Sequence, residues 1–145
     1  MATLAVDTPR VYNNTGGHPE YNEFPVIASD IIYEGAAVGE SSSAGTVRPL
    51  QAADNFVGFC LEKADNSAGL AAAIKAKCAT RGYVWLTVTN IDNIDDLGVA
   101  IYASDDDTFT TASTGNTQIG KLVRYDGTRT HKALVYFEAL ALQSA

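Results

Sequence analysis

The chain has 145 residues, close to the usual size of one domain, and enough apolar residues to form a hydrophobic core. Its formal charge is −7, its pI is about 4.6, and its ten basic residues are scattered. Proteins that bind nucleic acid neutralise phosphates with clustered Lys and Arg, so this composition disfavours a nucleic-acid partner. No stretch has the length of a membrane span or the pattern of a secretory signal, so we expect neither membrane insertion nor secretion by a standard signal.

The first 24 residues have no apolar periodicity. Neither a helical nor a strand period is present, so residues 1–24 are predicted to form an N-terminal arm that precedes a single β-domain at residues 25–145. Such a segment is either a disordered tail or an extended arm that becomes ordered against a partner. Tyr12, Tyr21 and Phe24 favour the second interpretation, because aromatic side chains are costly to leave in water and often anchor interfaces.

From residue 25 onward, short apolar runs are separated by Gly, Asp, Asn and Ser at a spacing typical of all-β domains. This pattern predicts a small β-barrel or jelly-roll-like sandwich with at most one short helix. The predicted strands lie at residues 25–33, 35–39, 45–50, 55–62, 74–81, 83–89, 99–104, 108–111, 118–125 and 130–138.

Glycine-containing turns separate several of these strands. The clearest hairpin joins residues 119–125 to residues 132–138, because Asp126-Gly127 supplies the positive φ angles of a tight turn. Two further turns are predicted at Arg81-Gly82 and Thr114-Gly115-Asn116.

One segment favours a helix. Ser67–Ile74 is rich in alanine, with Asn66 or Ser67 as a possible N-cap, which predicts one or two helical turns. The helix must end early, because the next residues alternate between apolar and basic side chains at the period of a half-buried strand. The basic side of that strand is expected to face solvent or an acidic partner.

Two of the predicted strands are apolar on both faces. Such strands lie inside a sandwich or barrel that is covered on both sides, or have one face covered by another subunit. In residues 55–61 we expect Phe56 and Cys60 to oppose Val57, Phe59 and Leu61. In residues 131–138 we expect Ala133, Val135 and Phe137 to oppose Leu134 and Tyr136. Leu134 and Tyr136 are therefore the candidate residues for self-association.

Two acidic clusters and two histidines are the candidate metal ligands in the sequence. The clusters at residues 92–96 and 105–107 lack the glycine and the closing glutamate of a calcium-binding loop. Adjacent Asp residues in turns more often accept hydrogen bonds from nearby backbone N–H groups. His18 and His131 have no partner at zinc-ligand spacing. No metal site is predicted.

Reactive groups are equally sparse. Cys60 and Cys78 lie in apolar segments, and buried free thiols are expected, with a mutual disulfide as the alternative. No segment matches a nucleophile elbow or a phosphate-binding glycine loop. The chain is therefore predicted not to be an enzyme, and no catalytic residue or cofactor is assigned.

The only tryptophan lies in the run Tyr83–Val88. If Tyr83 and Trp85 were exposed on one face, they could stack on sugars, and this gives a carbohydrate- or receptor-binding β-module as the alternative function. Packing in the core is the commoner position for such residues.

Five short strings of residues in the domain resemble strings found in a known protein family. Their order along the chain is more specific than any one string. The strings are residues 35–39 (GAAVG), 45–50 (GTVRPL), 56–59 (FVGF), 99–109 (VAIYASDDDTF) and 115–121 (GNTQIGK). Together they cover roughly residues 31–138 and leave the arm outside the match. In this order they resemble a family of small phage and prophage proteins assigned to capsid decoration, or cement.

The resemblance implies a β-barrel or jelly-roll-like domain that assembles as a dimer or trimer on the major capsid protein of a tailed phage. It implies no active site, and it places the chain on the outer capsid surface of the virion after assembly in the host cytoplasm. We expect the arm, especially Tyr12, Tyr21 and Phe24, to contact the capsid lattice or a neighbouring subunit.

Overall fold

The computed structural model describes residues 4–13, 20–41, 45–91, 97–128 and 133–143, and the prediction of an all-β fold is confirmed. These ranges contain the strands β1 (Glu20–Pro25), β2 (Asp30–Ile32), β3 (Ala37–Glu40), β4 (Val47–Pro49), β5 (Asn55–Cys60), β6 (Ala64–Asn66), β7 (Lys75–Leu86), β8 (Val88–Thr89), β9 (Ala100–Ala103), β10 (Phe109–Thr110), β11 (Thr117–Tyr125) and β12 (Ala133–Glu138). A short 3₁₀ helix spans Leu140–Leu142.

Ten of the strands form one strongly curled sheet, a half-barrel. Their order is β4-β3-β5-β7-β12-β11-β9-β10-β8, with β1 paired to β7. The two ends of the sheet approach each other, because Gln51 forms an isolated bridge with Asp105 and the Ala37 N–H donates to the Asp106 carbonyl at 2.9 Å. Strands β2 and β6 form a separate antiparallel pair.

The described residues contain two clusters of buried side chains on opposite faces of the sheet. The interior core lies inside the curl and is centred on Phe56, Phe59 and Phe137, whose rings meet edge to face with centroids 5.0–6.4 Å apart. The second core includes Cys60, Cys78 and Ile32 of β2. The β2–β6 pair therefore covers part of the sheet, as the two-sided apolar pattern of residues 55–61 predicts.

The predicted facing of residues within β5 is wrong for Phe56 and Val57. Phe56 and Phe59 both enter the interior core, although regular alternation would place them on opposite faces. The pairing with β3 passes from Gly58 directly to Phe56, so Val57 is an extra residue in a β-bulge. Gly58 has a φ of +143°, and a Cβ there would lie 2.0 Å from the Ala79 carbonyl oxygen.

The predicted turn at Arg81-Gly82 is also wrong, because β7 continues through both residues. Arg81 is the register partner of Glu20 in β1 and of Glu138 in β12, so both strands hold the backbone extended at this point. Thr80 is bypassed in the pairing with β1, which marks a second bulge. The bulge explains why Ala79 and Val84 both reach the interior core.

The predicted helix at Ser67–Ile74 is absent, and this segment forms turns. The buried Asn66 side chain donates to the carbonyls of Ile27 (2.9 Å) and Leu70 (3.0 Å). Ala72 has a φ of +66° and donates its N–H to the Val26 carbonyl. Tertiary hydrogen bonds therefore override the helix propensity of alanine.

The predicted β11–β12 hairpin is confirmed, but its turn differs from the prediction. Strand β11 ends at Tyr125, strand β12 begins at Ala133, and Gly127 does not lie in the left-handed region. Instead, the Asp126 carboxylate accepts hydrogen bonds from the Thr128 N–H and hydroxyl. The turn at Thr114-Gly115 is confirmed, with Gly115 at a φ of +74°.

Part of the predicted arm is regular structure. Residues 20–25 form β1, which pairs with β7 although the sequence shows no strand period there. The strand predicted at residues 25–33 is interrupted after Pro25, and Ser29 lies in the left-handed region with a φ of +59°. Pairing with a long neighbouring strand, rather than an alternating apolar face, therefore makes β1 a strand.

Residues 4–13 lie along their own domain. The Thr8 N–H donates to the Glu34 carbonyl at 2.7 Å, and Val11 and Asn13 exchange backbone hydrogen bonds with Trp85 and Tyr83 of β7. The described part of the arm therefore adds backbone pairing to β7 of its own chain, and its contact with a partner stays a prediction.

Candidate interaction surface

The strands β7, β12 and β11 present one face away from the interior core, and we call it the outer face. Ala133, Val135 and Phe137 point into the interior core, which leaves Leu134 and Tyr136 on the opposite side, as predicted. Register pairing places the β7 and β11 residues beside them. The outer face comprises Arg81, Tyr83, Trp85, Lys121, Arg124, Leu134, Tyr136 and Glu138.

Two tyrosines form the centre of the outer face. Tyr83 and Tyr136 are direct cross-strand partners with ring centroids 5.2 Å apart, and Tyr83 is 36% exposed. Burial and the nearby Glu138 carboxylate raise the pKa of Tyr136 above its ordinary value, so its hydroxyl remains protonated at neutral pH. The pair offers aromatic surface and polar hydroxyl groups, a combination typical of protein interfaces.

Charged side chains border this tyrosine pair. Arg81 forms an ion pair with Glu20 of β1 and lies 3.9 Å from Glu138. On the other side, Lys121 is the cross-strand partner of Tyr136 and is exposed. An aromatic centre with a charged border is the arrangement found in many protein–protein contacts.

The two remaining apolar residues of the outer face are buried within the single chain. Leu134 is 5% exposed and Trp85 is 3% exposed, and the Arg124 guanidinium lies 5.8 Å from the Trp85 ring centroid. Tyr83 and Trp85 therefore do not form the exposed stacking platform that the carbohydrate-binding alternative requires. Of the two residues predicted for self-association, Tyr136 is the more accessible.

The three arm aromatics have different environments. Tyr12 packs against the interior core, 6.3 Å from Phe137 between ring centroids, and its hydroxyl oxygen is buried. Phe24 packs partly against the second core. Tyr21 is 57% exposed, and the Lys77 ammonium lies 4.4 Å from its ring centroid. Tyr21 is the most exposed of the three arm aromatics and therefore the most accessible to an external contact.

Phe24 also lines a groove between β1, β5 and the 3₁₀ helix. The groove has a volume of about 370 Å³, and its apolar lining includes Phe56, Val57 and Leu140, which is 48% exposed. Phe24 therefore borders an accessible apolar depression although its ring is partly covered.

Arg10, which no sequence pattern identifies, holds the arm to the domain. Its side chain is 3% exposed, and its guanidinium donates to the Gly35 carbonyl and to the Asp107 carboxylate, both at 2.7 Å. It also lies 5.4 Å from the Phe109 ring centroid. A lone arginine in an aperiodic segment gives no local signal, because its partners come from distant parts of the sequence.

The carboxylates at residues 105–107 take part in local structure. Asp105 accepts hydrogen bonds from the Asp107 N–H (2.9 Å) and the Thr108 hydroxyl (3.1 Å), which is the turn role predicted for this cluster. Among the residues placed in the structure, no group of three or more His, Cys, Asp and Glu side chains is arranged to hold a metal ion. His18, His131 and residues 92–96 lie outside the described residues.

Both cysteines are free and buried, as expected, and they face each other between β5 and β7. No helix in the described ranges is long and apolar enough to cross a membrane.

Comparison with known proteins returned no match to a protein family, to a curated protein or to a solved structure. The resemblance to the capsid-decoration family therefore depends on the sequence strings alone.

Proposed function

We propose that this chain is a structural, non-catalytic virion protein that binds the outer surface of a tailed-phage capsid and stabilises the lattice of its major capsid protein. It acts as a dimer or trimer. Repetition of a modest contact around the symmetry axes of a capsid gives a strong total interaction. The all-β fold is consistent with this role, and the five ordered strings of the sequence support the family.

The Tyr83–Tyr136 pair is the observation that carries the proposal. Tyrosine and arginine are among the residues that contribute most binding energy at interfaces, and this pair lies beside Arg81 on a rigid sheet. Because the backbone beneath the pair is fixed by register pairing on both sides of β12, little ordering entropy is lost on binding.

Residues from two of the five strings that resemble the capsid-decoration family also bind the Arg10 side chain. Gly35, in the string GAAVG, accepts a hydrogen bond from Arg10, and Asp107, in the string with three aspartates, forms the ion pair. The arm lies outside the resemblance, yet these positions fix its path. The strings therefore have structural reasons to occur together in one chain.

The test is co-sedimentation with empty expanded heads of the phage that encodes the chain. We expect the wild type to sediment with the heads, and the double variant Tyr83→Ser/Tyr136→Ser to lose at least about tenfold in affinity, because loss of self-association through these aromatic anchors removes the repetition of capsid contacts. Tyr33→Ser is the matched control, because Tyr33 contacts Lys63 and lies outside the outer face.

Thermal unfolding of each variant separates loss of contact from loss of fold. If the wild type fails to sediment with the heads, the capsid role is wrong. If the double variant is folded and binds like the control, the role of the outer face is wrong. Tyr21→Ser, measured in the same way, tests the predicted contact of the arm.

A further inference from the structure

Cys60 and Cys78 occupy directly opposed positions in the antiparallel pair β5–β7. The Leu61 N–H donates to the Lys77 carbonyl, whereas the Cys60 N–H donates to Ala36 on the other side of β5. Cys60 and Cys78 therefore form a non-hydrogen-bonded pair, the type in which opposed side chains lie closest. Cβ atoms in such pairs are about 4.5–5.5 Å apart, and a disulfide needs about 3.5–4.5 Å. A small inward movement suffices.

The two thiols are covered by the second core. Cys60 is 1% exposed and Cys78 is fully buried, and the Cys60 thiol donates to the Glu62 carbonyl at 3.0 Å. Ile32 of β2 and Ala64 of β6 belong to the same cluster. A reagent therefore reaches the sulfur atoms only when the β2–β6 pair separates from the sheet or before it has packed.

The two thiols also react slowly in the folded chain. A hydrogen bond with Cys60 and burial raise the pKa of the Cys78 thiol well above its ordinary value. Since the thiolate is the reactive form, the folded pair reacts slowly at neutral pH. The two sulfur atoms are nevertheless positioned for each other rather than for an external partner.

We propose that Cys60 and Cys78 are an oxidation site at which a disulfide oxidant, such as glutathione disulfide, links β5 to β7. A bond forms between the two Sγ atoms as the S–S bond of the oxidant breaks. The pair gives up two electrons and two protons, which appear as two glutathione thiols. The link closes the segment between β5 and β7 and is independent of the proposed capsid function.

The physical consequence is a more stable sheet in the oxidised chain. A native disulfide stabilises by restricting the unfolded chain, provided that the folded geometry accepts it without strain. Because a disulfide that stabilises the folded chain is thermodynamically coupled to folding, folding must in turn favour formation of the disulfide. Folding and oxidation should therefore promote each other.

The test is the equilibrium of the full chain with reduced and oxidised glutathione, with and without concentrated guanidinium. We expect the effective concentration of the two thiols to be about a hundredfold higher in the folded chain, as for a native loop of this length. The intact mass should fall by two hydrogen atoms, and a proteolytic peptide pair should link Cys60 to Cys78. An equal or lower effective concentration in the folded chain would overturn the proposal.

Single variants control for other thiol chemistry. Cys60→Ser and Cys78→Ser should form only mixed disulfides with glutathione, and only in the unfolded chain. Dimers linked between chains, in place of the internal link in the wild type, would also refute the proposal. Because the main measurement uses the wild type, it holds even if a variant folds poorly.

Discussion

Arg10 shows how one side chain joins the arm to the domain. Its guanidinium satisfies the Gly35 carbonyl, neutralises Asp107 and lies near the rings of Phe59 and Phe109. A buried arginine needs such partners, because an unpaired charge away from water is costly. The arm is consequently held by a specific contact as well as by backbone pairing.

Replacing Arg10 with methionine should keep much of the packing and remove the charge. We expect the free energy of unfolding to fall by about 2 kcal/mol, the range for charged hydrogen bonds, because Asp107 can return to water but the Gly35 carbonyl loses its donor. Arg124→Met is the matched control, since Arg124 also lies over an aromatic ring but its side chain is 61% exposed. Its cost should be below about 0.5 kcal/mol. Urea unfolding measures both, and equal losses would contradict this role of Arg10.

Tyr12 is the second residue with a defined energetic consequence. Its hydroxyl is buried and forms no hydrogen bond to any part of the chain that the structure describes. Tyr12→Phe should therefore leave the free energy of unfolding at pH 7 unchanged or raise it by about 1 kcal/mol. A loss larger than about 1 kcal/mol in guanidinium unfolding would mean that the hydroxyl has a partner.

Tyr12→Phe should also change how the free energy of unfolding depends on pH. Burial raises the pKa of Tyr12 in the folded chain, whereas the unfolded chain keeps the ordinary value near 10. The contribution of the neutral Tyr12 side chain to the free energy of unfolding is fully present below about pH 10. It is lost as the pH rises toward the pKa of Tyr12 in the folded chain. Wild-type stability should therefore fall faster than that of Tyr12→Phe above pH 10, by up to about 1.4 kcal/mol per pH unit. Parallel curves would contradict the burial of this group.

At the scale of elements, the N-terminal segment is part of the domain. β1 pairs along β7, and residues 4–13 pass so close to Gly35 that a Cβ there would lie 1.7 Å from the Thr8 carbonyl oxygen. Deleting residues 2–24 would therefore remove backbone partners of β7. We therefore expect a chain that lacks residues 2–24 to fold less stably than the full chain.

Gly35→Ala and Gly115→Ala form a matched pair that tests the closeness of the arm. Both glycines have a positive φ, +90° and +74°, so both substitutions strain the backbone by about 1 kcal/mol. A Cβ at Gly115 meets nothing within 4 Å, whereas a Cβ at Gly35 strikes the arm. Only Gly35→Ala should expose Arg10 to rapid trypsin cleavage. Equal cleavage in the two variants would contradict the packing of the arm.

The elements that the sequence predicted well are those with local signals. The hairpin of β11 and β12 and the two faces of β12 follow from the alternation of apolar residues, although the geometry at Asp126-Gly127 differs from the predicted turn. Phe56 and Phe59 share a face because Val57 bulges, and the continuity of β7 depends on partners distant in sequence. Likewise, residues 67–74 are not helical because Asn66 bonds to Ile27 and Ala72 bonds to Val26, and both partners are distant in sequence.

The candidate site was predictable to a similar extent. Alternation placed Leu134 and Tyr136 together on one face, but it gave no measure of their exposure. Tyr83 joined them only through the register between β7 and β12. Arg10 was not identifiable, because its carbonyl and carboxylate partners converge through the curl of the sheet.

At the scale of the whole molecule, the curled sheet has two different surfaces. Its inner side is filled by the phenylalanine core, and part of its outer side is covered by the β2–β6 pair. The outer face presents Tyr83 and Tyr136, and β12 beneath them is paired with β7 on one side and with β11 on the other. A rigid surface of this kind suits repeated attachment to a regular lattice more than adaptation to varied partners.

Electron cryomicroscopy of phage heads assembled with and without this chain shows whether the chain binds the outer capsid surface. We predict added density on the outside of the shell, at symmetry-related positions, that fits the half-barrel with its outer face in a contact. Tyr83→Ser/Tyr136→Ser should remove the density, and Tyr33→Ser should retain it. Heads with identical outer surfaces in the presence and absence of the wild-type chain would mean that the chain is not a capsid-decoration protein.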